Sequence, residues 1–442
     1  MNERASSTEG TNPGALRVLH LAHARWLNAE VQYALDLAEE MARRGHRPVV
    51  LGQGGAPGVR EARSRGLPAE EEAGLGAKGL RAVAALGAAG RLLGRLRREA
   101  FDAVEVHRPE AFPLIAWACR RAGVPVVRVR GDMRPVRADP LNRWVHRRLV
   151  AAVVASNTAV EASLRRRLGP LPRLTTIHGG VDPGVFRPGP DGADVRAELG
   201  APARGVLVGI LGRLGRVKGH EDFLEAARRV LREGVEAAFA VLVKEPTEQE
   251  RVLRARVAQD PVLGGRVGFL GHREDLPAVL RAFDLGVVAS TGSEANCRVG
   301  LEWMASGVPL LATRVGVLPD LVEDGRSGAL VPPGDPAALA EALAGLARRP
   351  GALKAMGRES RRRVVERFSL ARCARAHEEL IRGVAARFRA DESRRRGARR
   401  DGAPGDEGLG APPEGRFFRG ASGDPGRTGA GGKPLSFGSG SW

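Results

Sequence analysis

At 442 residues the chain exceeds the size at which one hydrophobic core stops growing, so two domains with tails are expected. With 43% hydrophobic and 27% charged residues it has a globular make-up, and the lack of an 18-residue apolar run or apolar leader predicts a chain that neither spans a membrane nor is exported by a standard signal. The formal charge of +19 suggests an anionic partner, but one Tyr, 4% aromatics and no zinc-finger spacing argue against nucleic acid and leave transient contact with an anionic membrane.

Residues 1–14 are polar and bear Gly and Pro, so a disordered N-terminus is expected. A first strand is read at Arg17–Ala22 and a helix at Glu30–Arg44, with Val31, Ala34, Leu35, Ala38, Met41 and Ala42 on one stripe and Gly45 at the position that ends helices. Further strands are read at Pro48–Leu51, Ala103–His107, Pro125–Val129, Ala151–Ala155 and Leu174–Ile177, with helical segments between them, including Gly79–Arg98. This alternation assigns residues 15–185 to a parallel α/β domain. The Pro- and Gly-rich stretch 186–204 reads as a linker. A second alternation over 205–370 has strands at Val206–Leu211, Phe239–Val243, Val267–Leu270, Leu285–Ala289, Pro309–Thr313 and Ala329–Val331, with helices at Glu221–Glu233 and Cys297–Ser306. The fold class is therefore α/β, two facing Rossmann-like domains. The tail 391–442 is Gly-, Arg- and Pro-rich and expected to be disordered. Cys119, Cys297 and Cys373 show no metal or disulfide spacing, which predicts a reducing, cytoplasmic setting.

Two loops carry chemistry of opposite sign. Between strand Val206–Leu211 and the next helix lie Gly212, Arg213 and Lys218; a glycine-bearing loop at a helix N-terminus suits phosphate, and a fork donor plus a point charge suits a diphosphate. Lys218 is one of only five Lys among 70 basic residues. After strand Leu285–Ala289 come Glu294 in the loop and Glu302 on the following helix, with Asn296, Cys297 and Arg298 between them. A helical carboxylate can accept both hydroxyls of a ribose, and a loop carboxylate can hold a sugar and offset charge developing at its anomeric carbon. Together the loops read as a nucleotide-sugar site at the crevice where open α/β sheets bind ligands.

On the first domain, His107 ends a strand, where it either orients an acceptor hydroxyl or is a satisfied structural histidine. Arg130, Asp132 and Arg134 either line the acceptor side or form a structural ion cluster, and Trp26, Asn28 and Glu30 occupy the first strand–helix loop. His20 and His23 have no evident role. No D-x-D and no metal-ligand spacing occurs, so neither a metal nor a cofactor is expected. Arg91–Arg98 and Asn142–Leu149 mix Leu, Trp and Val with Arg, the composition either of a helix lying on an anionic inner leaflet or of an ordinary packed amphipathic helix.

In G-R-L-G-R-V-K-G-H, in S-E-A-N-C-R-V-G-L-E-W-M-A-S-G-V-P-L-L-A-T, in V-E-D-G-R-S-G-A-L-V-P-P-G-D-P and in I-H-G-G-V-D-P-G-V-F-R-P, the chain resembles the retaining family-4 glycosyltransferases of GT-B fold, over about residues 16–388. The resemblance implies a nucleotide sugar as donor, a glycan or lipid-linked acceptor in cell-envelope polysaccharide synthesis, and no metal. It also implies that Arg213 and Lys218 bind the diphosphate, Glu302 the ribose and Glu294 the sugar, that His107 sits beside the acceptor hydroxyl, and that a helix at 371–390 crosses back to the first domain. Leu27 and Asn28 stand where paired glycines are usual, Ala295 and Asn296 where Gly and an aromatic are usual, and Gly179 replaces an Asn. An epimerase acting on the same donor and a non-catalytic nucleotide-sugar-binding protein remain alternatives.

Overall fold

In the computed structural model, which describes residues 14–75, 82–108, 111–189, 193–202, 205–243 and 247–401, every sheet contact between the named strands is parallel. The first sheet contains β1 (Arg17–Leu21), β2 (Arg47–Gly52), β3 (Ala69–Glu71), β4 (Ala103–Val106), β5 (Val126–Arg130), β6 (Ala152–Ala155) and β7 (Leu174–Thr176), in the order β3-β2-β1-β4-β5-β6-β7. The second contains β8 (Val206–Leu211), β9 (Ala237–Leu242), β10 (Val267–Leu270), β11 (Leu285–Val288), β12 (Leu310–Thr313) and β13 (Gly328–Val331), in the order β10-β9-β8-β11-β12-β13. The central strands are buried along their length, β1 and β5 save for one terminal Arg each, as parallel strands covered by helices on both faces must be. In each sheet the order reverses once, between β1 and β4 and between β8 and β11. Ligand crevices of open parallel sheets form at such reversals, beyond the strand C-termini. The loops bearing Asn28, His107, Lys218 and Glu294 follow those four strands.

Helix Ala29–Arg43 ends with Arg44 and then Gly45 at φ 82, as its glycine signal predicted. Its buried face is broader than one stripe, because Tyr33 and Leu37 are buried as well. The reason is a second packing partner. Helix Leu370–Asp401 lies over the same face of the first sheet, and its Cys373, Ala374, Leu380, Ile381 and Val384 share a core with Tyr33, Leu37, Val18, Ala103 and Val127. The returning helix thus caps the N-terminal domain, as the resemblance implied, and it runs to Asp401 rather than ending near 390.

β3 was not expected, since Ala-Glu-Glu has no apolar signal and forms only a sheet edge. Within the expected linker, helix Ala193–Glu198 packs Val195 and neighbouring Leu199 into the second domain's core. The expected disordered segments fall largely outside the described residues, at 1–13 and 402–442. Of the two Arg-rich stretches, the first is an ordinary packed helix: Leu92 and Leu96 are buried, while Arg91 pairs with Glu72 and Arg95 with Glu70 and Glu99. Helix Pro140–Arg148 differs, exposing Leu141 and Trp144 beside Arg143, Arg147 and Arg148. Among the described residues no helix is long and apolar enough to cross a membrane.

Candidate active site

β8 ends at Leu211, and the chain turns through a short 3-10 segment, Arg216–Lys218, into helix His220–Arg232. Gly219 joins them at φ 70, and a Cβ there would lie 1.9 Å from the Ala289 carbonyl oxygen. Only glycine lets this loop press so closely on the end of β11. The contact is fixed by Thr291, whose N–H donates to the Val217 carbonyl at 2.9 Å. Lys218 then reaches across and ion-pairs with Glu294. Ser290 Oγ donates to the same carboxylate at 2.5 Å. Glu294 is held from behind too, its carbonyl accepting from Val317 N–H at 2.8 Å and pressing on Gly316 at φ 56, where a Cβ would lie 1.9 Å away. The basic and acidic loops, read together as one site, are thus joined by a direct ion pair that their spacing did not predict. Arg213 stays exposed and makes no ion pair among the described residues, so its guanidinium is open to a ligand.

Cys297 is the only non-glycine at positive φ among the described residues, at 38°, and directly precedes helix Arg298–Ala305. Burial, with Glu294 beside it, pushes its thiol well above the usual value, so it is no nucleophile. Glu302 is buried one turn along, accepting from Arg298 Nε at 2.8 Å. Arg298 also reaches Asp36 of helix Ala29–Arg43 at 3.2 Å and so bridges the two domains. Asp36 carried no signal of this in the sequence.

More contacts close the domains around the Glu294 loop. The Ala295 carbonyl accepts from Asn157 Nδ2 at 2.8 Å and Ser156 Oγ at 3.2 Å, and Asp320 receives Thr158 Oγ1 at 2.6 Å and lies 2.9 Å from His178 Nε2. Asn296 is pushed into the first domain between Gly131 and Gly179, only 8% exposed, with neither amide atom partnered. Beside it a cleft too tight to hold a water molecule is lined by Glu30, Tyr33, His107, Val129, Gly131 and Ser156.

On the first domain the expected residues divide. His107 is buried, and burial drives its basicity down to about 3, so the ring is neutral at physiological pH. Its carbonyl, with those of Val106 and Val129, accepts from the buried Arg128 at 2.6–2.9 Å. Arg130 donates to the Arg134 carbonyl, Asp132 pairs with Arg134, and Arg108 pairs with Glu30 at 3.4 Å. Burial also raises the Glu30 carboxyl. The Asn28 oxygen caps helix Ala29–Arg43, accepting from Glu30 N–H and Val31 N–H, both at 3.0 Å. His20, given no role from sequence, lies 3.4 Å from His107 and 3.3 Å from Glu105. His20, Glu105 and His107 are the one grouping among the described residues with the chemistry of a metal site. All three are buried, and Glu105 is already engaged by His377 at 2.6 Å.

Residues 205–349 match the family described as Glycosyl transferases group 1, and residues 31–185 match Glycosyltransferase Family 4. A D-inositol 3-phosphate glycosyltransferase of Saccharomonospora viridis is 33% identical over 299 residues, covering 62% of this chain and 68% of that protein. The chain belongs to the family-4 glycosyltransferases. The alpha-maltose-1-phosphate synthase of Mycolicibacterium smegmatis is 31% identical over 60% of this chain and 74% of its own length. Other proteins named D-inositol 3-phosphate glycosyltransferase are matched over about half their length. Among solved structures, Anabaena HepE in complex with UDP superposes with a TM-score of 0.72 at 21% identity, covering 83% of this chain and 100% of that one. That likeness is one of fold, GT-B.

Proposed function

We propose that this glycosyltransferase moves a sugar from a nucleotide-diphosphate donor to an anionic acceptor, with retention of anomeric configuration and without a metal ion. The observation that carries the reading is the Lys218–Glu294 pair, set where the loops after β8 and β11 meet and next to the Asn296 side chain, which is buried between Gly131 and Gly179 of the first domain. Arg213, Lys218 and the N-terminus of helix His220–Arg232 would hold the diphosphate and offset its charge as it leaves, the task a divalent ion performs elsewhere. Glu302 would take the ribose, and Glu294 with Asn296 the sugar. HepE, of the same fold, was solved with UDP and with UDP-glucose, which supports a uridine donor.

An acceptor bearing phosphate fits the other side. Arg108 pairs with Glu30, which lines the cleft, Arg134 pairs with Asp132 just beyond β5, and two relatives are named for phosphorylated acceptors or products. A glycan or lipid phosphate of the cell envelope belongs to the same class. Exposed Leu141 and Trp144 among three arginines would let the enzyme rest on an anionic leaflet, where each cation adds about 1 kcal/mol.

A thermal-shift screen with UDP-, GDP- and ADP-sugars tests the donor, since a bound ligand raises the melting temperature. Positive donors are then incubated with and without phosphorylated sugars and polyols, in the presence of chelator. Transfer with the anomeric configuration kept and full rate in chelator is expected. An epimerised donor in the absence of acceptor, or no shift with any nucleotide sugar, would overturn the reading.

A further inference from the structure

Alternation along the first sheet places an unusual set of side chains on one face. Val18 and His20 of β1 point with Ala103, Glu105 and, just beyond β4, His107 toward the layer made by helices Ala29–Arg43 and Leu370–Asp401. His20 and Glu105 are register partners on neighbouring strands. Within this apolar layer stands a chain of polar contacts. Tyr33 OH lies 2.7 Å from His377 Nε2, His377 Nδ1 lies 2.6 Å from Glu105 Oε1, and His20 Nδ1 lies 3.3 Å from Glu105 Oε2 and 3.4 Å from His107 Nε2. The His20 and His107 rings stack with centroids 5.7 Å apart. Glu105, His20 and His377 are fully buried, so each contact is insulated from water.

The proton positions follow from what each atom faces. His20 Nδ1 lies 3.3 Å from Glu105 Oε2, an oxygen with no hydrogen-bond partner of its own, so a hydrogen on Nδ1 meets the carboxylate favourably where a bare lone pair would repel it. The opposite His20 nitrogen, Nε2, is buried with no partner, and a bare lone pair is less costly to leave there than an N–H. His20 is therefore the Nδ1–H tautomer. Its Nδ1–H donates to His107 Nε2 at 3.4 Å, which makes that nitrogen an acceptor and puts the His107 hydrogen on Nδ1.

We infer that Glu105, His20 and His377 form a buried positioning device that holds His107 neutral with its proton on Nδ1, so that His107 presents a hydrogen-bond donor rather than a base. This rests on the proposed transferase reading, in which His107 sits at the acceptor. His377 arrives on the returning helix, 272 residues from Glu105, so a set His107 requires that helix to be docked. The charged and titratable groups around His107 are Glu105 on its own strand, His20 on β1, Tyr33 and Glu30 on helix Ala29–Arg43, Arg128 on β5, and His377 and Cys373 on the returning helix. Burial alone would lower His377, but Glu105 outweighs it and lifts it to about 10; the same pairing holds Glu105 well below the usual carboxylate range despite its burial. The device thus sets one buried ion pair, Glu105 with His377, behind a neutral His107.

The test reads imidazole nitrogens in the full chain, labelled with 15N-histidine and free of ligand, by long-range proton–nitrogen correlation at pH 7. The expected wild-type spectrum shows His377 doubly protonated and His20 and His107 as neutral Nδ1–H tautomers, assigned with His20→Gln, His107→Gln and His377→Gln. In Glu105→Gln the His107 tautomer should become mixed. With the donor found in the screen, kcat of that variant should fall on the order of 10²-fold while donor Kd stays unchanged. A wild-type His107 carrying its proton on Nε2, or a neutral His377, overturns the inference even if no variant folds. So does one equivalent of zinc on the purified chain that His20→Gln removes. The spectra need no substrate, so failure of the donor screen would count against the transferase reading and leave this inference to the tautomers.

Discussion

Lys218 and Glu294 form an ion pair between loops 76 residues apart, with Glu294 almost wholly buried and Lys218 one-third exposed. The pair balances a carboxylate that would otherwise stand alone in a low-dielectric cleft. It also places the cation proposed for a diphosphate directly against the carboxylate proposed for the sugar. A bound donor would draw on both groups at once.

Lys218→Ala should therefore weaken nucleotide-sugar affinity by about 10–100-fold, the loss of one charge-assisted contact, and lower stability by leaving Glu294 unpaired. Glu294→Gln keeps the shape and should leave UDP affinity within a few-fold while cutting kcat by on the order of 10²–10³. Calorimetry with UDP and initial rates separate the two effects. Equal loss of UDP affinity in both variants would show that the pair acts only as a structural strut.

The backbone beneath the pair is testable on its own. Gly219→Ala places a methyl group against the Ala289 carbonyl in a left-handed conformation, whereas Gly234→Ala, at φ 72, meets nothing within 4 Å. The control should cost about 1 kcal/mol for backbone strain, and Gly219→Ala about 2–4 kcal/mol because the loops must also part. Thermal melts compare them. Gly219→Ala should in addition lose UDP binding, and Gly234→Ala should not.

Much of this architecture was legible in the chain because parallel strands such as Val206–Leu211 and Leu285–Val288 are short apolar runs between turn signals, and a helix such as Ala29–Arg43 carries its stripe and its terminal glycine. The residues bearing charge on the two donor-side loops could be named for the same reason, since each follows such a run. Who pairs with whom could not. Lys218 and Glu294, or Arg298 and Asp36, are joined by sheet order and domain closure, which no local spacing encodes. Glu105 did leave a trace, a charged residue inside a four-residue strand of otherwise buried apolar positions. Its counter-ion His377 lies on a helix whose polar residues gave no hint of which strand they cross.

Cys297 offers a smaller test. A left-handed backbone at a non-glycine costs about 1–2 kcal/mol, and the buried thiol recovers part of that by packing near Gly300, whose Cβ position lies 3.1 Å from Sγ. Cys297→Gly removes the strain together with the packing and should leave the melting temperature within a few degrees and donor binding intact. Cys297→Val forces a β-branched side chain into the same conformation and should lose at least 2 kcal/mol, on the order of the strain and overpacking combined. A stable valine variant would mean that the loop relaxes away from this conformation.

The Glu105–His377 pair makes stability depend on pH in a defined direction. His377 rises from 6.5 in the unfolded chain to about 10 in the fold. Its contribution is thus complete below about 6.5 and is lost as pH climbs through about 10. Glu105 is held below its unfolded value of 4.5, so its contribution is complete above 4.5 and is lost as pH falls further. The pair is therefore strongest between pH 4.5 and 6.5. His377→Gln leaves Glu105 buried without its cation, at a cost of about 3–5 kcal/mol near neutrality. His107, lowered to about 3, and His146 and His220, each lowered to about 4 by burial, also erode stability below pH 6.5, because the unfolded chain takes up protons that the fold refuses. For His146 and His220 that loss is common to both proteins and cancels in their difference, whereas His107 feels the His377 charge and adds a smaller difference of its own at the acid end. Urea midpoints of wild type and His377→Gln, measured from pH 5 to 10, should differ most near pH 5–6.5 and converge as pH approaches 10. A gap that stays constant over that range would mean that His377 is uncharged in the native protein and that Glu105 draws its stabilisation from another source.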